Sequence, residues 1–281
     1  MTFAFKGDAD MLTMTNEMRD QLNIQMKALA AAKDWKGIEA LMMPYSEHTG
    51  LCTTRFQLYT DEKFPVLQGG GTDGKYLYFA HMTWAKDGVQ TGIICKYDPE
   101  TGELLGKSEE MPIDHANDIT YNEKKDMLIV THNAPNRQLI SYVNPHTLEY
   151  LGTHDIGYPI YCMSYNEMRD QYIVGLSGGM DFAKTDAEFG KITDYLSVDT
   201  KYVTQGMATD DDFIYFVLHR LPCITKYDWD GNFVEYIPLD RKSDEPENIM
   251  FLGDKLYLGY NVWNKEGIAA PELVEVVLKK N

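Results

Sequence analysis

The chain reads as an all-β protein, a five-bladed β-propeller with an N-terminal helical extension. Three observations predict this: a unit that recurs five times, an Asp/Asn turn motif shared by four of the units, and helical periodicity confined to the residues before the first unit. Internal repetition at about 40–50 residues is the signature of blades or arrays.

The repeating unit is a short strand, a polar turn and an alternating strand. It occurs as Gln68-Gly-Gly-Gly-Thr-Asp-Gly-Lys-Tyr-Leu-Tyr78, and as His115-Ala-Asn-Asp-Ile-Thr-Tyr121 running on to Met127-Leu-Ile-Val130. The third copy is Tyr161-Cys-Met-Ser-Tyr165 with Tyr172-Ile-Val174. Gln205-Gly-Met-Ala-Thr-Asp-Asp-Asp-Phe-Ile-Tyr215 and Glu247-Asn-Ile-Met-Phe-Leu-Gly-Asp-Lys-Leu-Tyr257 complete the set. The starts, at 68, 115, 161, 205 and 247, are 47, 46, 44 and 42 residues apart.

Within the units, Lys96-Tyr-Asp-Pro-Glu-Thr-Gly-Glu-Leu104, Tyr142-Val-Asn-Pro-His-Thr-Leu-Glu-Tyr150 and Lys226-Tyr-Asp-Trp-Asp-Gly-Asn-Phe233 correspond, with a weaker match at Lys184–Lys191. An Asp or Asn ahead of Pro or Gly caps a tight turn between two antiparallel strands. Four strands per unit make a propeller blade. The fifth unit lacks an outer strand after Leu273-Val-Glu-Val-Val-Leu278. Thr53-Thr-Arg-Phe-Gln-Leu-Tyr59 has the pattern to supply it and so close the ring.

The expected division is a helical segment over 1–48 and the propeller over 49–281. Met11, Met14, Met18, Leu22, Met26 and Leu29 recur at helical spacing, and Trp35, Ile38, Leu41 and Met42 form a second helical pattern. Asp10 and Asp34 are candidate N-caps. The Met stripe suits packing on the propeller's flank. Its adaptable side chains also suit a docking or oligomerisation face.

Lys+Arg number 26 against 43 Asp+Glu, a formal charge of −17. Without a basic cluster, such a chain is not expected to bind nucleic acid or an anionic bilayer. Cys52, Cys95, Cys162 and Cys223 are far apart with no CxxC pair, which disfavours zinc and redox motifs. The first ten residues lack the apolar run of a secretory signal, and no stretch approaches the ~20 apolar residues that cross a bilayer. The expected location is cytoplasmic as synthesised, with virion or surface association after assembly or lysis.

A propeller's inner strands line its axis, so the aligned starts gather Gln68, His115, Asn117, Tyr161, Gln205, Glu247 and Asn248 at one mouth. This is a convergent polar set suited to a ligand. His115 and Glu247 are the candidate catalytic pair, as base and as acid/base, and catalysis requires both on one small pocket. Each also has a plain role, in a wet channel or a structural hydrogen bond. Only Glu247 holds an aligned carboxylate position, and alternation turns Asp114 and Asp118 away if His115 and Asn117 point inward. The Asp210-Asp211-Asp212 run reads as a solvated β-turn rather than a calcium cage. No GxSxG, P-loop or HExxH motif occurs, and no cofactor is expected. Trp84 and Trp263 follow the second strands of the first and last blades, which adjoin in a closed ring. They are candidates for a sugar platform or for packing.

Taken in order, Gln68-Gly-Gly-Gly-Thr-Asp-Gly-Lys, His115-Ala-Asn-Asp-Ile-Thr-Tyr, Thr204-Gln-Gly-Met and Glu245-Pro-Glu-Asn-Ile resemble a five-bladed propeller domain of Gram-positive bacteria and their phages, over residues 51–281. That resemblance implies non-catalytic recognition of a surface glycan, peptide or protein, in a cell-surface or phage tail setting. A weaker resemblance, through Val203-Thr-Gln-Gly206 and Glu247, is to the plant and bacterial type of glutaminyl cyclase. It implies acyl transfer at the mouth; here Gln205 lies in the fourth unit rather than the first, and the inner strands lack that family's tryptophans. The alternative to recognition is therefore an enzyme at the central mouth: such a cyclase, or a lyase or hydrolase on sugars or peptides.

Overall fold

The computed structural model describes residues 14–84, 90–176, 179–219, 221–242, 244–265 and 269–281. Asp10 and Met11, expected as a helix cap and as the start of the Met stripe, lie outside them. Helix α1 (Asn16–Ala31) is capped by Thr15, whose hydroxyl accepts from the Met18 N–H at 3.2 Å. Helix α2 (Trp35–Met42) is capped by Asp34, which accepts from the Gly37 N–H at 3.0 Å.

Strand β1 (His48–Gln57) follows, and then the blades in order. The first is β2 (Val66–Thr72), β3 (Leu77–Met82), β4 (Gly92–Tyr97) and β5 (Leu104–Lys107). The second is β6 (Ile119–Asn122), β7 (Met127–Thr131), β8 (Leu139–Val143) and β9 (Tyr150–Asp155). The third is β10 (Cys162–Asn166), β11 (Gln171–Leu176), β12 (Asp181–Asp186) and β13 (Ile192–Asp199). The fourth is β14 (Thr204–Thr209), β15 (Phe213–Leu218), β16 (Leu221–Asp228) and β17 (Phe233–Pro238). The fifth is β18 (Glu245–Leu252), β19 (Lys255–Trp263), β20 (Ala269–Lys280) and, on its outer edge, β1.

That last pairing closes the ring. β1 runs antiparallel to β20 with Phe56 opposite Leu273, and the Leu58 N–H donates to the Pro271 carbonyl at 2.8 Å. The Phe56 ring lies 6.0 Å from that of Tyr97 in the first blade, so the closing strand also touches the next sheet. Closure leaves β20 with no free edge.

Shared turns build the blades. Asp98, Asn144, Asp186 and Asp228 each accept two or more backbone N–H groups from the residues just after them, joining the third strand to the fourth. Asp210 does the same between β14 and β15, and its other oxygen accepts from the Tyr215 hydroxyl at 2.8 Å. The acidic run is therefore a hairpin turn. Asp73 repeats the device with Tyr78.

Alternation divides the core. In β3, Tyr78, Ala80 and Met82 pack toward the second blade, while Leu77 and Phe79 pack toward the fifth. Each face of a blade thus meets a neighbouring sheet, which explains why the inner strands are apolar on both sides. Met26, Ile38 and Met42 of the helices join the cluster between the third and fourth blades. The Tyr236 hydroxyl donates to buried Asn23 at 2.7 Å. Most of the Met stripe therefore packs on the flank, and Met18 is left 39% exposed. The four cysteines are free and lie on β1, β4, β10 and β16. No helix among the described residues is long and apolar enough to cross a membrane.

Candidate functional site

The inner-strand starts converge. Gln68, His115, Tyr161, Gln205 and Glu247 line one cavity of about 340 Å³ together with Trp84 and Trp263. Three strands deliver polar side chains there through β-bulges, since the register slips at Leu67/Gly70, Thr204/Gly206 and Pro246/Asn248. Gln68, Gln205 and Glu247 are residues of those bulges, and a bulge re-aims its side chain.

Glu247 is buried at the centre of the set. Its Oε2 accepts from Gln205 Nε2 at 2.8 Å, and its Oε1 from Asn261 Nδ2 at 2.6 Å. No Lys or Arg is bonded to it among the described residues. Burial, and then the neighbouring Glu245 carboxylate, push Glu247 well above the usual carboxylate range, against the two amide donors. Glu245 lies within 3.4 Å of Gln205 Nε2, faces His219 Nδ1 at 2.6 Å and accepts from Trp263 Nε1 at 3.3 Å. The mouth thus holds two carboxylates, where alignment had placed one. Glu245 belongs to the same strand but precedes the repeat.

His115 sits on a turn, not a strand, because β6 begins only at Ile119. Its flanking residues Asp114 and Ala116 have φ of 47° and 43°. His115 Nδ1 is 2.8 Å from Gln90 Oε1, and burial lowers its pKa although Glu245 opposes the shift. Tyr161 is half-buried beneath the Arg137 guanidinium, 5.8 Å from its ring centre.

Asn117 and Asn248 are not in the cavity lining. Asn248 follows the Glu247 bulge and turns inward, donating to the Gln68 carbonyl at 2.7 Å and accepting from the Gly259 N–H at 3.0 Å. Asn117 is buried beside Asn133. Asp118, expected to turn away, instead reaches across the axis, because the turn before β6 breaks the alternation. Its carboxylate accepts from the N–H groups of Ile119, Met163 and Met207, joining the second, third and fourth blades. Burial pushes its pKa well up, against those three donors.

Asp118 and Asn248 close the channel below the mouth, and glycines let the strands approach them. A Cβ on Gly70 would lie 2.7 Å from the Asn248 side chain, and one on Gly206 2.7 Å from the Asn248 Cα. Beyond this floor, the strand ends enclose a second concavity of about 730 Å³. There burial and the adjacent Glu167 push Glu123 up to about 7.

Two tryptophans form the rim. Trp84 and Trp263 are 49% and 41% exposed, with ring centres 6.0 Å apart and planes inclined by 42°. His219, Glu245 and Asn261 were missed because they lie at strand ends outside the aligned motif. A polar residue two positions before the Glu247 bulge was the one available signal.

Fold and site define the class: a five-bladed propeller closed by its N-terminal strand, with an aromatic-rimmed polar mouth above a sealed axis. Among solved structures, a tail fiber of Staphylococcus aureus phage P68 shares this fold, at TM-score 0.60 and 15% identity, over 86% of this chain and 55% of that one. The chain thus spans about half the length of that fiber. No protein-family profile matches the sequence, and no curated protein does.

Proposed function

We propose that the chain is a non-catalytic recognition module whose aromatic-rimmed mouth binds a saccharide, in a phage tail or cell-surface assembly. The observation that carries this is the Trp84–Trp263 pair above the Gln205–Glu247–Asn261 cluster. Sugar rings present apolar C–H faces that suit exposed indoles, and hydroxyls that suit convergent amides and carboxyls. The fold shared with a phage tail fiber supports an attachment role.

A second reading, acid–base catalysis at the same mouth, is favoured by one specific observation. His115 and Glu247 line the same cavity, with Glu247 held toward its protonated form beside Glu245. A glycan array probed with the wild-type protein, followed by product analysis on every hit, separates the readings. Saccharide binding without turnover is expected. Turnover abolished by His115→Ala and Glu247→Gln would replace recognition with catalysis, and no saccharide bound would overturn the saccharide reading.

A further inference from the structure

A third cavity, of about 690 Å³, lies between the helical segment and the loops of the fourth and fifth blades. His219, Glu245 and Trp263 line both it and the mouth, so the two adjoin. Its chemistry differs from that of the mouth. Lys27 on α1, Lys33 in the α1–α2 turn and Lys242 between β17 and β18 all line it, beside the carboxylates of Asp244, paired with Arg241 at 2.7 Å, and Glu245, which faces His219 at 2.6 Å. Lys242 pairs with Glu39 at 3.4 Å, whereas Lys27 and Lys33 make no ion pair among the described residues. Trp35 and Tyr202 complete the wall. Tyr202 is 7% exposed, and its hydroxyl is turned into the core that includes Cys223 and Tyr236, so only its ring edge reaches the groove.

We propose that this groove is a subsite for an anionic substituent, a carboxylate or a phosphate, on a saccharide chain running outward from the mouth. The proposal rests on the saccharide reading of the mouth and adds the charge class of the ligand. Lys27 and Lys33 supply the unpaired cations, and Trp35 an apolar face for the sugar ring that carries the charge. The acidic surface elsewhere repels the same polymer, so only a chain seated in the groove is held. This makes binding both register-specific and salt-sensitive.

Calorimetric titration of the full chain with three hexamers tests this: maltohexaose as the neutral chain, hexagalacturonate as the carboxylate chain and a glycerol-phosphate hexamer as the phosphate chain. At least one anionic hexamer is expected to bind tighter than maltohexaose, and which one identifies the anion. Lys27→Gln/Lys33→Gln is expected to weaken that binding about tenfold at low salt, as two lost charge contacts of about 0.7 kcal/mol each imply. Lys27→Arg/Lys33→Arg is expected to retain it, which separates charge from structure. Equal affinity for neutral and anionic chains, equal affinity in wild type and the Gln variant, or no anionic binding at millimolar concentration would overturn the subsite. Loss in the Gln variant with full retention in Trp84→Ala/Trp263→Ala would leave the groove standing and remove the mouth reading.

Discussion

Gln205 and Glu247, 42 residues apart, meet beside the axis through a 2.8 Å hydrogen bond from amide to carboxyl. Each sits in a bulge at the start of its own inner strand, in adjacent blades. One contact therefore ties the fourth blade to the fifth and makes the mouth polar.

That contact carries a pH signature. Burial raises the folded-state pKa of Glu247 above its ordinary value of 4.5, so the folded protein holds a proton the unfolded chain releases. The resulting stability is fully present below pH 4.5 and is lost as pH rises toward the folded-state value. Glu247→Gln removes this dependence. Thermal unfolding of both proteins from pH 5 to 8 is expected to show the variant gaining on the wild type as pH rises; a constant difference would place Glu247 in an ordinary environment.

The floor of the mouth tolerates no added atoms. Gly206→Ala places a Cβ against the Asn248 backbone, which cannot yield as a flexible side chain would. Overpacking of this kind costs about 1–3 kcal/mol. Urea unfolding is expected to show that loss for Gly206→Ala. Gly106→Ala is the control, because its Cβ would meet only the Leu148 side chain, at an ordinary 3.6 Å. A smaller loss at Gly206 than at Gly106 would contradict the close approach of β14 to β18.

Asp118 joins three blades from one carboxylate. Asp118→Ala strips the N–H groups of Met163 and Met207 of their acceptor while leaving them buried. Each unsatisfied donor costs about 1–3 kcal/mol. The variant is expected to lose more stability than Asp114→Ala. Amide exchange at Met163 and Met207 is the direct check: protection unchanged in Asp118→Ala would disprove the role.

The closing strand is the other lever. Deleting residues 1–57 exposes the edge of β20 and removes the Phe56–Tyr97 contact. An uncovered, apolar-flanked edge favours self-association. Light scattering is expected to show aggregation of the truncated protein at concentrations where the full chain is monodisperse.

The blades were legible in the sequence because each must rebuild the same hairpin turns and feed the same two interfaces. The closing strand was legible because the fifth unit was one strand short. Gln68, Gln205 and Glu247 could be placed because their bulges recur at aligned starts. Asn117 and Asp118 could not: strand alternation was applied to residues that lie in a left-handed turn ahead of β6, and the turn sends Asp118 onto the axis. Asn248 was misplaced for a related reason, since the bulge at Glu247 rotates the next residue inward. His219 and Asn261 reach the mouth from the ends of second strands and a hairpin, which no inner-strand repeat marks. Trp84 and Trp263, 179 positions apart, could be paired only once the ring was assumed closed.

The most direct measurement is calorimetric titration of the strongest glycan-array ligand into wild type and Trp84→Ala/Trp263→Ala. Both indoles are about half exposed, so the variant should keep its melting temperature. Stacking on aromatic faces is worth about 0.5–1.5 kcal/mol per pair beyond area burial, so affinity should fall at least about tenfold. Undiminished affinity in a folded variant would contradict the mouth as the place where the ligand is held.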